Sequence, residues 1–88
     1  MKMQMFSVYD TASGLFARPI FAQSRGIAIR SFSDEVNRQA ADNTLYQHPE
    51  DFQLFHLGVY DDQTGVCESL DKPLRVVTAS EVKLDNGK

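Results

Sequence analysis

The sequence lacks the residues and segments that reinforce a secreted protein or hold a protein in a membrane. Of its 88 residues only Cys67 is a cysteine, which excludes an internal disulfide. No apolar run approaches the roughly 20 residues of a membrane-spanning helix, and the first six residues lack the apolar core of a secretion signal. We therefore expect a protein of a reducing cytoplasm with no membrane partner.

Positive charge is also in short supply. Nine lysines and arginines stand against 12 aspartates and glutamates, which gives a formal net charge of −3. This balance argues against a protein that binds nucleic acid through bulk positive charge, so any such binding needs a local basic patch. Charged residues make up only 24% of the chain and hydrophobic residues 42%, which is typical of a folded rather than a disordered chain.

The length allows one domain with a limited core. We expect residues 1–88 to form a single domain in which residues 85–88 are a flexible tail. Because no disulfide supports the core, a second copy would add useful buried surface, and a homodimer is the expected form.

The most informative stretch runs from His48 to Gly65. Pro49 has a fixed φ and no N–H, so it suits the first position of a short helical turn. Residues 52–60 are almost all β-branched, aromatic or apolar, which predicts a strand covered on both faces or nearly so.

A hairpin loop is predicted at residues 61–65. Asp at its start accepts hydrogen bonds from nearby backbone N–H groups, and Gly65 permits φ > 0. The same spacing of Val, Tyr, Asp, a hydroxyl residue and Gly occurs at residues 8–14, which predicts a second hairpin of similar geometry. Convergence on a favourable turn explains the repeat; an internal duplication or an acidic functional loop are the alternatives.

The remaining segments complete an α+β fold. Pro19 cannot donate to a strand ladder, which places strand two at an edge or a bulge, and Ser24 is a good N-cap for a helix to about Ala41. The predicted strands are residues 3–9, 15–22, 52–60, 66–70 and 74–78, with a turn at 71–73. We expect a mostly antiparallel sheet of four to five strands, in the order ββαβββ, with one helix packed on one face.

The helix has a core face and a charged face. Arg30, Asp34 and Arg38 are spaced at i, i+4 and i+8 opposite the core face and are expected to pair with one another. Arg25 and Arg30 lie near the helix start, where the macrodipole disfavours positive charge, so either an anion or solvent is expected there. The core face consists of Ala28, Ile29, Phe32, Val36 and Ala40.

One helix cannot cover both faces of this sheet. Strict alternation along strand three puts Phe55, Leu57 and Val59 on one side. The other side then carries Phe52, Leu54, His56 and Tyr60. An uncovered apolar face is typical of an interface, here with a second copy, a protein partner or unstacked bases.

Candidate catalytic and metal-ligating residues match no established motif. His48, Glu50, Asp51 and His56 include metal-ligand types, but their spacing is not that of a known site, and the turn explains the acids. Cys67 has no obvious partner, and there is no phosphate-binding glycine loop or nucleophile elbow. We expect no enzymatic activity, cofactor or metal.

Arginines interleaved with aromatics are the combination that binding of single-stranded nucleic acid requires. Arginine neutralises phosphates and aromatic rings stack on bases; ordinary core aromatics and solvated arginines are the alternative. The candidate DNA-binding residues are Arg18, Arg25, Arg30 and Arg38, with Lys2 as a weaker addition and Phe16, Phe21 and Phe32 nearby.

Several short segments occur together in one order. They are residues 6–10 (FSVYD), 19–22 (PIFA), 28–34 (AIRSFSD), Asn37, 48–52 (HPEDF), 54–55, 57–58, 60–61 and 64–65. Together these segments resemble the small nonstructural protein of the gokushoviruses, single-stranded-DNA phages of the microvirus group.

The resemblance implies a role and a set of partners. The family is the counterpart of the microvirus protein that acts late in genome replication, in the switch to single-stranded genome synthesis coupled to packaging. It implies single-stranded DNA, the replication initiator or host helicase, and the procapsid as partners in the host cytoplasm, and it brings no catalytic residues.

The leading hypothesis is a non-enzymatic phage protein that binds single-stranded DNA or the replication complex. The alternative is a protein–protein adaptor that uses the uncovered sheet face and the Asp61–Asp62 loop without binding DNA. A small hydrolase is a third possibility and would need a cleft with a perturbed acid or histidine.

Overall fold

Five strands form an antiparallel sheet in the computed structural model, which describes residues 1–84. The order across the sheet is β2–β1–β4–β5, and β3 also pairs with β1. The predicted α+β class is confirmed, while the predicted tail at 85–88 lies outside the described residues. The strands are β1 (Lys2–Asp10), β2 (Leu15–Phe16), β3 (Ile20–Ala22), β4 (Phe52–Asp61) and β5 (Val66–Thr78).

The main helix begins where the sequence predicts and ends earlier. Ser24 caps it by accepting a hydrogen bond of 3.2 Å from the Ile27 N–H. The helical elements are α1 (Arg25–Val36), α2 (Thr44–Gln47), a 3₁₀ turn (Pro49–Asp51) and α3 (Ala79–Val82). The 3₁₀ turn confirms the role of Pro49, whereas the predicted helix end at Ala41 is wrong.

Two asparagine side chains end α1. The Asn37 amide donates to the carbonyl oxygens of Ser33 (2.8 Å) and Val82 (3.0 Å). The amide of Asn43, which is buried, donates to those of Glu35 (2.8 Å) and Arg38 (2.9 Å). These bonds satisfy carbonyls that the end of a helix leaves without backbone donors.

The strand boundaries differ from those predicted. Pro19 interrupts the predicted second strand, which becomes β2 and β3 at one edge of the sheet. At the other edge β5 continues through the predicted turn at 71–73, because residues 70–73 form a bulge opposite Leu57. The predicted fourth and fifth strands are therefore one strand.

The core lies between α1 and one face of the sheet. Phe6 of β1 and Leu54 of β4 are fully buried there, against the buried helix residues Ala28, Phe32 and Val36. Ile29 packs against this cluster as expected, but Ala40 lies beyond the end of the helix.

A register shift next to Gly58 changes which side chains share a face. Phe55 lies opposite Ser7 and Tyr60 opposite Met3, so these two aromatic residues are on the same side of the sheet. Val59 lies opposite Gln4, on the helix side. The predicted alternation along this strand is therefore wrong beyond Leu57.

The long strands set the shape of the molecule. Its principal extents are 48 × 24 × 20 Å, and β5 has 13 residues but runs alongside only residues 53–61 of β4, because two register shifts shorten it. Within residues 1–84, no helix has both the length and the apolar character needed to cross a membrane.

Candidate nucleic-acid interface

Three aromatic rings cluster on the face of the sheet that α1 leaves open. Tyr9 and Phe16 are cross-strand partners whose ring centroids lie 4.7 Å apart. Phe55 lies edge-on to both, with centroid distances of 6.0 Å to Tyr9 and 5.4 Å to Phe16. Phe16 keeps 44% of its surface exposed. We call Tyr9, Phe16 and Phe55 the aromatic cluster; it offers an accessible flat ring surface.

A second aromatic pair continues the same face. The rings of Phe21 and Tyr60 are 5.3 Å apart, and Phe21 is 47% exposed. Phe21 lies opposite Met5, and Tyr60 opposite Met3. The open face thus carries five aromatic side chains on four neighbouring strands.

Two hairpin loops of the same geometry support this face. Gly14 and Gly65 both have φ of 75°, and each donates its N–H to the carbonyl of the aspartate four residues earlier, at 2.8 and 2.7 Å. The carboxylates of Asp10 and Asp61 each accept the backbone N–H two residues on, at 2.9 Å. The predicted similarity of the two loops is confirmed.

The charge of Asp61 is stabilised by its own loop. The backbone N–H of Gln63 is the main cause of a lowered pKa for this carboxyl. Asp62 accepts a 2.8 Å hydrogen bond from the N-terminal ammonium group. Both acids of this loop therefore have donors within the chain.

Arg18 lies in the chain segment between Phe16 of the aromatic cluster and Phe21 of the second aromatic pair. It follows Ala17, whose N–H donates to Val8 at 2.8 Å and whose carbonyl accepts from the Ser7 hydroxyl at 2.6 Å. These bonds fix the backbone between Phe16 and Phe21, and Arg18 itself is exposed.

The other predicted arginines do not form one strip with Arg18. Arg25 and Arg30 are both exposed on α1, but at 100° per residue their positions differ by about 140° around the helix axis. Arg38 follows the helix end and donates two hydrogen bonds to Glu35, of 3.0 and 2.7 Å. Among the described residues no ion pair joins Arg30 to Asp34, so the predicted pairing along this helix is wrong.

The Arg38–Glu35 pair compensates the charge of this arginine. The hydrogen bonds lower the pKa of Glu35 and raise the pKa of Arg38. A phosphate at Arg38 would therefore have to compete with an intramolecular carboxylate.

Arg75 is a candidate that sequence reasoning missed. It is exposed and lies directly opposite Phe55 across the β4–β5 ladder, which puts its side chain beside the aromatic cluster. The sequence predicted a turn at 71–73, so the pairing of Arg75 with Phe55 was not expected. Lys2 lies at the far end of β1, opposite Asp61.

An apolar groove lies between the β2–β3 edge and the helices. Its cavity volume is about 450 Å³. Asp10 and Glu35 are its charged lining residues, and no lysine or arginine lines it among the described residues. Its main apolar lining residues are Leu15, Phe16, Ile20, Phe32, Leu45 and Phe52. This groove suits an apolar group rather than a phosphate.

The candidates that remain from the sequence are His48, Glu50, Asp51, His56 and Cys67. His48, Glu50 and Asp51 offer metal-ligand atoms within 4.8 Å of one another, a proximity that the 3₁₀ turn itself produces. The His56 ring stacks on Phe6 and its Nε2 lies 2.9 Å from the Gln4 side-chain oxygen. Cys67 is exposed on β5.

These features define a small α+β protein whose open sheet face is rich in aromatic rings. The chain belongs to the Phage ORF5 protein family, whose model matches residues 3–82. Protein ORF5 of Chlamydia phage 1 is 30% identical over 89 aligned residues, which cover 98% of this chain and 93% of that protein. No solved structure matches. The expectation of a phage protein is thereby confirmed.

Proposed function

We propose that this protein is a non-enzymatic phage protein that binds single-stranded DNA on its open sheet face. The observation that carries the proposal is the aromatic cluster, in which Phe16 is exposed and Tyr9 and Phe55 are half-buried, on a face that α1 does not cover. Every base has a face that stacks on such rings, at about 1–3 kcal/mol per base. Paired bases of duplex DNA cannot reach them, so single strands are preferred.

Arginines beside the rings supply the phosphate contacts. Arg18 and Arg75 flank the aromatic cluster along the chain and across the sheet. Arg25, Arg30 and Arg38 remain further candidates of the proposal, although Arg38 would have to exchange the Glu35 carboxylate for a phosphate. Because the net charge is −3, stacking rather than charge supplies most of the affinity, and only two to four phosphates are neutralised, which gives a log–log salt slope of about −1.5 to −3.

The proposed setting follows from the resemblance to gokushovirus proteins. The resemblance to gokushovirus nonstructural proteins supports action in the host cytoplasm, at the switch to single-stranded genome synthesis and packaging. A protein that holds a displaced single strand there would work beside the replication initiator or host helicase and hand the strand to the procapsid.

The test is a fluorescence-anisotropy titration of a labelled oligothymidine, with duplex DNA as the competitor, at low and moderate salt. Phe16→Ala is expected to weaken binding about 5- to 150-fold, the range of one lost stacking contact. Arg18→Ala is expected to reduce the salt slope by about 1. Ile27→Ala, which removes an exposed apolar side chain from α1, is the matched control and leaves affinity unchanged. Absence of binding at low salt contradicts the proposal.

A protein–protein adaptor is the second candidate, and the apolar groove favours it. A groove of about 450 Å³ with acidic residues in its lining fits an apolar side chain of a partner with a basic neighbour. If the protein is an adaptor, it has no affinity for DNA. It is then expected to capture the replication initiator, the host helicase or the procapsid, and Leu15→Glu is expected to abolish that capture.

A further inference from the structure

The second aromatic pair, Phe21 and Tyr60, lies along the same strand as the aromatic cluster. Phe16 of the cluster is the cross-strand partner of Tyr9, whereas Phe21 is the partner of Met5. The register shift between β1 and β4 adds its extra residue to β4, so β1 itself runs regularly through both positions. These positions are four residues apart, which is about 13 Å at roughly 3.3 Å per residue.

The surface between the two groups of rings is closed. Met5 and Ser7 are the residues of β1 that face the open side there, and they are only 8% and 1% exposed. The Ser7 hydroxyl donates to the Ala17 carbonyl within the chain. The exposed rings of Phe16 and Phe21 therefore lie at the two ends of a filled, uncharged floor.

The alternation of side chains along the strands keeps acidic groups off this floor. Asp10 alternates with the buried Phe6 along β1 and so points to the helix side. Within residues 1–84, every acidic residue that has a ladder partner lies on that side: Asp10, Asp61 and Glu68. Arg75 is the charged residue that the ladders place on the open face. The open face thus suits a polyanion, although the chain as a whole is acidic.

We propose that the second aromatic pair is a second stacking site, and that one single strand of DNA runs along β1 and contacts both groups of rings. This inference rests on the proposed function, which it extends from one contact to a path and a minimum length. A separation of about 13 Å corresponds to roughly four nucleotide spacings of 3.4 Å, and to fewer where the strand is extended. A dinucleotide has one spacing and reaches one group only, whereas a strand of eight nucleotides reaches both.

Bridging the two sites raises affinity because the second contact is intramolecular. We expect an oligothymidine of eight nucleotides, called the octamer below, to bind about 5- to 150-fold more tightly than the dinucleotide, the range of one additional stacked base. This gain requires no further positive charge. It therefore suits a chain whose formal net charge is −3.

A fluorescence-anisotropy titration with the labelled octamer tests the second site, with the unlabelled dinucleotide as a competitor. Phe21→Ala is expected to weaken octamer binding about 5- to 150-fold. The dinucleotide binds at the aromatic cluster, where three rings converge, so its affinity is expected to stay unchanged. Leu74→Ala is the matched control, because it removes an exposed apolar side chain from the helix side of the sheet. It is expected to bind both ligands as the wild type does.

Cys67 provides a second readout in the unaltered protein. It is the single cysteine of the chain, is exposed, and lies opposite Tyr60 in the β4–β5 ladder. Its thiol therefore lies on the open face beside the second aromatic pair. Saturating octamer is expected to slow the reaction of this thiol with an uncharged maleimide several-fold. Saturating dinucleotide is expected to leave the rate unchanged.

The outcomes separate this inference from the proposed function. Octamer binding that Phe16→Ala weakens and Phe21→Ala does not would overturn the second site and leave the proposed function intact. An unchanged rate of Cys67 modification under saturating octamer would do the same. Absence of octamer binding at low salt would overturn both.

Discussion

Gly58 occupies the point in β4 where the ladder with β5 changes register. A Cβ added there would overlap the carbonyl oxygen of Glu68 and lie 2.9 Å from the Cα of Ser69. Both neighbours are backbone atoms, so they cannot rotate away. Close approach of two strands, rather than a turn, therefore requires this glycine.

We expect Gly58→Ala to lower the free energy of unfolding by about 1–3 kcal/mol, because the added methyl group forces the strands apart. Urea denaturation measures the change. Gly26→Ala is the control: it lies in α1 with no atom within 4 Å of the new Cβ, and it is expected to raise stability by about 0.5–1 kcal/mol. If the two substitutions change the free energy of unfolding equally, the close approach of β4 and β5 at Gly58 does not restrict the residue there.

The acid sensitivity of the fold is expected to depend on the cap of α3. The Glu81 carboxylate accepts the Thr78 N–H at 2.8 Å, which is the main cause of its lowered pKa. A lowered pKa in the folded state stabilises the fold above the unfolded value of 4.5. This contribution is lost as pH falls through the folded pKa.

Glu81→Gln is therefore expected to flatten the dependence of the melting temperature on pH between about pH 5 and pH 3. Thermal unfolding at several pH values measures it. Asp34→Asn, on the exposed side of α1, removes a carboxylate elsewhere and serves as the control. If both variants retain the full acid dependence of the wild type, the capping carboxylate is not its source.

The two hairpins were predictable as elements because their chemistry is local. Aspartate at the start and glycine at the end determine each loop, and both glycines have φ of 75°. Any other residue at this φ places its Cβ close to the following carbonyl oxygen.

Gly14→Ala and Gly65→Ala are each expected to cost about 1–2 kcal/mol of stability, and the asparagine variants are expected to cost less because asparagine tolerates this conformation. Chemical denaturation of the four variants measures the difference. Alanine and asparagine variants of equal stability would contradict the left-handed conformation at these positions.

Elements that depend on distant contacts were not predictable. Helix α1 stops at Val36 because Asn37 bonds the carbonyl of Val82 and accepts the Leu84 N–H at 2.7 Å. Nothing in the helical periodicity of residues 24–41 encodes those partners. The bulge at residues 70–73 likewise exists only because β4 pairs on both sides of it.

The candidate site was predictable only in part. Phe16 and Phe21 are exposed as the DNA hypothesis needs, but Phe32 is a core residue. Arg75 was missed because its aromatic neighbour Phe55 comes from a cross-strand pair. Closeness in sequence places Arg18 between the exposed Phe16 and Phe21, and it cannot rank Arg25, Arg30 and Arg38.

The molecule as a whole separates its stabilising and its proposed binding surfaces. The helix side of the sheet is buried around Phe6 and Leu54, while the open side exposes Phe16 and Phe21. An acidic chain with this division is suited to hold single strands weakly through stacking and to release them, rather than to coat duplex DNA.

An NMR titration of the aromatic side-chain signals with oligothymidine at low salt tests this division most directly. We expect the signals of Tyr9, Phe16 and Phe55 to shift progressively, while those of Phe6 and Phe32 in the core stay unchanged. Open-face signals that do not move, or shifts confined to residues of α1, would contradict single-stranded DNA binding on the aromatic face.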